Sequence, residues 1–150
     1  MPQSVPPAFT AYAVCSVVLS LEMLFLGAKT AATRAKHRTF LNPEDGAVSF
    51  KDASFIDGVE HPEVARVMRA HRNLLESLPI FFALGLIAVL IGASPLGVEL
   101  CCAVFTGARL IHAVVYLRGL QPWRTVAFAI GTLALLGLMV LSMVTLFTRQ

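Results

Sequence analysis

Four apolar runs dominate this chain: Ala8–Ala28, Ser77–Val98, Leu96–Leu117 and Thr125–Thr148. Roughly 20 apolar residues cross a bilayer as a helix, and each run is about that long. The first carries one charge, Glu22; the second and fourth carry none; the third is interrupted by Glu99, Arg109 and His112. Only 14% of the 150 residues are charged and 57% are hydrophobic, against about 25% and about 45–50% in an ordinary soluble domain. Too few charges remain to cover a water-soluble globule. The pattern predicts an all-α integral membrane protein, a single four-helix transmembrane domain over 1–150. Its helices are expected at about 8–37, 62–92, 95–118 and 122–148, with a loop at about 38–61.

Proline marks the helix starts. Its missing N–H is harmless in a first turn, and Pro6-Pro7, Pro62, Pro95 and Pro122 stand at the four beginnings. Ser94 reads as an N-cap, Ile91-Gly92-Ala93-Ser94-Pro95 as a turn, and Pro79, inside the second helix, as a kink. A helix from Pro62 to Gly92 is about 45 Å long at about 1.5 Å per residue, whereas the hydrocarbon core is about 30 Å thick. Its charged first half, Glu63 to Glu76, therefore protrudes or lines the interior.

Arg34, Lys36, Arg38, Lys51, Arg66, Arg69 and Arg72 lie between the first two spans, and Arg118 and Arg124 between the last two. The turn from Gly92 to Gly97 has no Lys or Arg, and Arg149 alone dissents. By the positive-inside rule both basic segments are cytoplasmic and both termini lie opposite. No basic stretch precedes the first span, so no cleaved signal peptide is expected, and no lipidation motif is visible. The net charge of +3 sits beside membrane segments. Anionic lipid or a small anion is the expected partner, not nucleic acid.

Ionisable residues within spans mark function by default. Arg69, Arg72, Asn73 and Glu76, at i, i+3, i+4 and i+7, share one helix face. Two guanidinium forks, an amide and a carboxylate suit a small zwitterion; the same set also fits an Arg–Glu brace on a solvated helix end. Arg109, His112 and Tyr116 repeat the pattern at i, i+3 and i+7 in the third span. Alternatively, His112 and Tyr116 join helices while Arg109 neutralises Glu22 or Glu76. Arg124 stands in the first turn of the fourth helix, where the dipole favours an anion, so a cation there points to an anion held between them. Trp123 reads as an interface anchor. Lys36, His37 and Arg38 read as lipid contacts, with Arg34 placed to reach a ligand. Cys15, Cys101 and Cys102 read as packing residues. Neither cysteines nor histidines show metal-ligand spacing, so no metal is expected.

The run Arg69-Ala-His-Arg-Asn-Leu-Leu-Glu76, with Arg34 and Asn42-Pro-Glu-Asp45 before it and Arg109-Leu-Ile-His-Ala-Val-Val-Tyr116 after it, resembles the MAPEG family. These are membrane-associated proteins of eicosanoid and glutathione metabolism. The resemblance covers nearly the whole chain. It implies a homotrimer of four-helix protomers, with glutathione at the cytoplasmic side between neighbours and a lipophilic substrate entering from the bilayer. Arg34, Arg69, Arg72, Asn73, Glu76, His112, Tyr116 and Arg124 match glutathione-site residues. Arg124, Thr125 and Asp45 match a thiol-activating group in which the family has Ser where this chain has Thr125. The implied activity is glutathione transfer or peroxide reduction by an activated thiolate. Prostaglandin-endoperoxide isomerisation with glutathione as cofactor is the alternative, and a non-catalytic lipid-binding scaffold is a second. The membrane is expected to be the endoplasmic reticulum in a eukaryote and the inner membrane in a bacterium.

Overall fold

The computed structural model describes residues 5–42, 44–45, 54–55 and 60–148. Most of the predicted loop, at 43, 46–53 and 56–59, and the termini at 1–4 and 149–150 lie outside them. The chain forms α1 (Pro7–His37), β1 (Thr39–Phe40), β2 (Ser54–Phe55), α2 (Pro62–Leu90), α3 (Pro95–Arg118) and α4 (Trp123–Thr148). Each of the four helices is long and apolar enough to cross a membrane.

The helix ends follow local chemistry. Pro7, Pro62 and Pro95 occupy first turns. Arg38 closes α1 with φ 52°, its N–H bonding back to Ala35 O, behind a basic last turn of Arg34, Lys36 and His37 that suits the negative helix end. The His61 ring caps α2 by accepting from Glu63 N at 3.3 Å, a cap the sequence did not advertise. Ser94 stands at the N-cap of α3 but makes no side-chain capping bond. α2 runs uninterrupted through Pro79. Within the segment read as loop, β1 and β2 pair in parallel, Thr39 with Ser54 and Phe40 with Phe55; this short ladder leaves the fold all-α.

The helices form a rhombus. α1 touches α2 and α3, α4 touches α3 and α2, and α2 meets α3 across the short diagonal. Among the described residues α1 and α4 occupy opposite corners without meeting. The diagonal is held by Phe81 on α2 and Phe105 on α3, both fully buried and stacked at 4.7 Å with an 11° interplanar angle. Tyr12 on α1 donates its hydroxyl to Phe82 O at 3.0 Å. On the α3–α4 edge, Cys101 Sγ lies 3.1 Å from where a Cβ on Gly137 would stand, and Cys102 is fully buried. Both cysteines are packing atoms here. Outward-facing apolar side chains such as Leu24, Leu90 and Leu133 are 70%, 74% and 66% exposed, a surface that suits lipid tails and not water.

The α1–α2 edge depends on a glycine. A Cβ on Gly85 would fall 2.6 Å from Tyr12 Cδ2, and the ring cannot swing away without breaking its bond to Phe82 O. Overpacking of this kind costs about 1–3 kcal/mol, against about 1 kcal/mol gained from alanine's helix propensity. Gly85→Ala is therefore expected to lower the unfolding midpoint in detergent, and the Tyr12→Ala background should abolish that loss. A midpoint that rises in the single variant would contradict the packing described.

Candidate functional site

Most of the predicted polar residues fall into two clefts that flank α2, while Glu76, Asp45 and Arg109 line neither. On the α2–α4 edge, a cleft of about 200 Å³ is lined by Asn73, His112, Tyr116, Arg124, Thr125 and Phe128. α3 supplies His112 and Tyr116 at i and i+4, on one helix face. The chain then reverses at Gly119, φ 70°, whose N–H bonds to Tyr116 O at 3.1 Å while Leu120 N bonds to Val115 O at 2.9 Å. Glycine suits this left-handed position, and the turn brings the start of α4 back over the cleft.

Arg124 is held from two sides. Its guanidinium carbon lies 4.8 Å from the centroid of the Tyr116 ring. The Gln121 amide, oriented to satisfy its neighbours, accepts from Arg124 Nη2 at 2.5 Å and Nε at 3.1 Å and donates to Thr125 Oγ1 at 3.3 Å. A cation of unfavourable sign for the helix dipole is thus fixed by an aromatic face and an amide. His112 is buried, edge-on to Tyr116 at 5.4 Å and 6.0 Å from Phe128. Trp123 is exposed.

On the α1–α2 edge, a larger cleft of about 420 Å³ is lined by Arg34, Arg69 and Arg72 with Thr30, Glu60 and His71. Arg34 Nη2 donates to Glu60 Oε2 at 2.7 Å and lies 3.2 Å from Met68 Sδ. Glu60 had no sequence signal: it stands in a connection, without periodicity, and only the fold brings it to α1. Arg72 Nε reaches Glu76 Oε1 at 3.1 Å, with both side chains well exposed. The brace left open by the spacing is present, but such an exposed pair holds weakly.

Asp45 is turned toward Asn42, whose amide donates to it at 3.2 Å, and makes no ion pair with Arg124 within the chain. Nor does Arg109 neutralise Glu22 or Glu76 by direct contact. It turns toward α4 between the Phe105 and Phe128 rings, 5.2 Å from each centroid, and Glu76 is engaged by Arg72. Arg109 and Glu22 are both buried, and Arg109 Nε and Nη1 and both Glu22 oxygens have no hydrogen-bond partner. Lys36 and His37, expected at lipid headgroups, both reach Glu63 Oε2, at 3.1 and 2.8 Å.

A profile of the MAPEG family matches residues 12–144. The chain belongs to the MAPEG family. It is 37% identical over 133 residues to microsomal glutathione S-transferase 1 of Mus musculus, covering 87% of this chain and 84% of that protein. It is 35% identical over 125 residues to microsomal glutathione S-transferase 1 of Homo sapiens, covering 82% and 81%. It is 32% identical over 128 residues to prostaglandin E synthase of Homo sapiens, covering 85% and 82%. As a MAPEG protein with four apolar helices, it is an integral, multi-pass membrane protein.

The Tyr116–Arg124 contact ties the end of α3 to the start of α4. A cation over an aromatic face is worth about 0.5–1 kcal/mol at a partly exposed site. A double-mutant cycle with Tyr116→Leu and Arg124→Met, read on unfolding free energy in detergent, should return a coupling of about that size. Strict additivity of the two losses would show that the contact carries no energy.

Proposed function

We propose that this MAPEG protein is a glutathione-dependent membrane enzyme, working as a homotrimer of one-domain, four-helix protomers. In this reading it turns the thiolate of glutathione on a lipophilic electrophile or peroxide delivered from the bilayer. The observation that carries the reading is the gathering of Asn73, His112, Tyr116, Arg124 and Thr125 around one small cleft, in a chain whose relatives include proteins named glutathione S-transferase.

The donor set fits the ligand. Glutathione has two carboxylates and an ammonium; the two clefts offer Arg34, Arg69 and Arg72 as forks for carboxylates and Asn73 for the peptide groups, and Glu76, paired with Arg72 beside them, is the group for the ammonium. The exposed Arg72–Glu76 pair is weak enough to open toward a ligand. Size supports assembly. A cleft of about 200 Å³ falls below the range of about 300–1,000 Å³ usual for ligand sites. The arginine-rich cleft lies on the other side of α2, so a neighbour that lays its α1–α2 edge against this chain's α2–α4 edge joins the two halves. The same docking is the route by which Asp45 or Arg34 of one chain approaches Arg124 of the next. The basic helix ends support a site on the cytoplasmic face, of the endoplasmic reticulum or of a bacterial inner membrane.

When bound, glutathione supplies the nucleophilic thiol. The chain's task is to favour the anion: a thiol of pKa about 8.5 lowered to about 6.5 requires roughly 2.7 kcal/mol of preferential stabilisation. The Arg124 guanidinium, already ordered by Tyr116 and Gln121, supplies a fixed positive charge at the positive end of the α4 dipole. Thr125, one residue on, adds a hydroxyl donor in the role that serine has in the family. Proton acceptance is left to solvent or to a neighbour's Asp45. The half-buried setting strengthens these terms over their value in water.

Turnover by the purified protein of an aromatic electrophile, a lipid hydroperoxide and a prostaglandin endoperoxide tests the activity. Net glutathione loss with a thioether product marks transfer. Its regeneration with an isomerised product marks prostaglandin-synthase chemistry, and no turnover of any of the three overturns the enzyme reading in favour of a lipid-binding scaffold. Arg124→Ala is expected to lower turnover by roughly 10²–10³-fold, the usual loss on removing a preorganised anion donor, with trimer assembly intact by sedimentation. Near-wild-type rates would remove Arg124 from the mechanism. Glu76→Ala should instead raise the Kd for glutathione by about 10-fold or more, as for a lost charge-assisted bond, and alter the rate at saturation little. An unchanged Kd would contradict the ammonium contact.

A further inference from the structure

The α1–α3 edge, distinct from the edges that hold the two clefts just described, carries a groove that glutathione chemistry does not use. Its mouth, about 580 Å³, is ringed by Lys29 and Lys36 of α1, Arg66 of α2 and Arg118 of α3. Against these four cations stands one carboxylate, Glu63, already engaged by Lys36 and His37. Among the described residues Lys29, Arg66 and Arg118 have no carboxylate within ion-pair distance. Lys29 lies 6.0 Å from the Phe25 ring centroid, and Arg66 Nη1 packs beside Gly119 at the end of α3.

Below the cations the wall turns apolar. Phe25, Val67, Val114 and Leu117 line the mouth. Phe25, Val114 and Leu117 also line a second cleft of about 360 Å³, which continues along Val18, Leu21, Leu110 and Ala113. From Phe25 to Val18 the groove follows α1 for about 10 Å at about 1.5 Å per residue, toward the bilayer centre. Glu22 borders this stretch but is only 7% exposed, so it offers the groove little polar surface.

We propose that the α1–α3 groove is a binding site for an anionic phospholipid. Its phosphate sits among Lys29, Arg66 and Arg118, and one acyl chain lies along Phe25, Val114 and Leu117. The charge is complementary, and the order of charge then hydrocarbon matches a lipid entering from its own leaflet. Four cations around one mouth favour a phosphate, whose several oxygens accept charge-assisted bonds from more than one partner, over a fatty-acid carboxylate. Arg66 and Arg118 also suit the negative end of α3, but that role does not require Lys29 or an apolar floor. The proposal rests on the bilayer setting alone and stands apart from the glutathione reading.

The test is a thermal-shift titration of the protein stripped of lipid in detergent, with dioleoyl phosphatidylglycerol, dioleoyl phosphatidylcholine, oleate and glycerol 3-phosphate as probes. Phosphatidylglycerol is expected to raise the unfolding midpoint at a concentration at least tenfold below phosphatidylcholine, and glycerol 3-phosphate to leave it unmoved. Lys29→Gln, Arg66→Gln and Arg118→Gln should each weaken the phosphatidylglycerol response about fivefold, the usual weight of one basic residue at an anionic lipid surface, with glutathione turnover retained. An equal response to phosphatidylcholine overturns the site, as does an equal response to glycerol 3-phosphate, which marks a soluble anion. So does a stronger response to oleate, which marks a fatty-acid site. The comparison of probes on the wild-type chain decides even where a substitution disturbs folding.

Discussion

In hydrocarbon no water is present to pair with backbone N–H and C=O groups, and a helix is the form that pairs them within one segment. That constraint fixes the four long helices and leaves side chains to do everything else. It also makes polar side chains expensive within the spans, so their positions carry information that a soluble surface would dilute. Here most of them gather at one end of the bundle, around the clefts between its helices, while apolar surfaces face outward.

The diagonal contact between α2 and α3 organises those edges. Stacking Phe81 on Phe105 presses the two helices together and pushes α1 and α4 to the far corners. Each remaining edge of the rhombus then opens as a groove whose character is set by the residues that face it. One is arginine-rich, one carries Arg124, one is ringed by lysine and arginine above an apolar floor, and the α3–α4 edge is almost wholly apolar. A single packing decision thus distributes different chemistries around one small bundle.

The spans were legible because hydropathy and proline act locally, within a turn or two of the residue concerned. The Arg69–Glu76 face and the Arg109–Tyr116 face were legible for the same reason: helical period is a property of one segment. What the sequence hid were matters of partnership. Spacing places Arg72, Asn73 and Glu76 together, yet it does not say that Asn73 opens toward α4 while Arg72 borders the cleft with α1. Glu60 reaches Arg34 through a connection with no periodicity. Gln121 belongs to the polar run Gln121-Pro122-Trp123-Arg124-Thr125, yet the residue order does not say that its amide clasps Arg124. Arg109 has the buried acidic neighbour that its charge invites, since Glu22 lies within electrostatic reach, but it makes no ion pair with it and lies between two aromatic rings.

The separation of α1 from α4 bears on how such a protein has to work. Arg34 and Arg124 belong to corners that share no wall, so within one chain neither feels a change at the other except through α2 or α3. In the proposed trimeric site, a ligand gripped by both is gripped by two molecules at once. Its affinity then reports on assembly as much as on chemistry, and dilution of the subunits, not only loss of a side chain, becomes a way to empty the site.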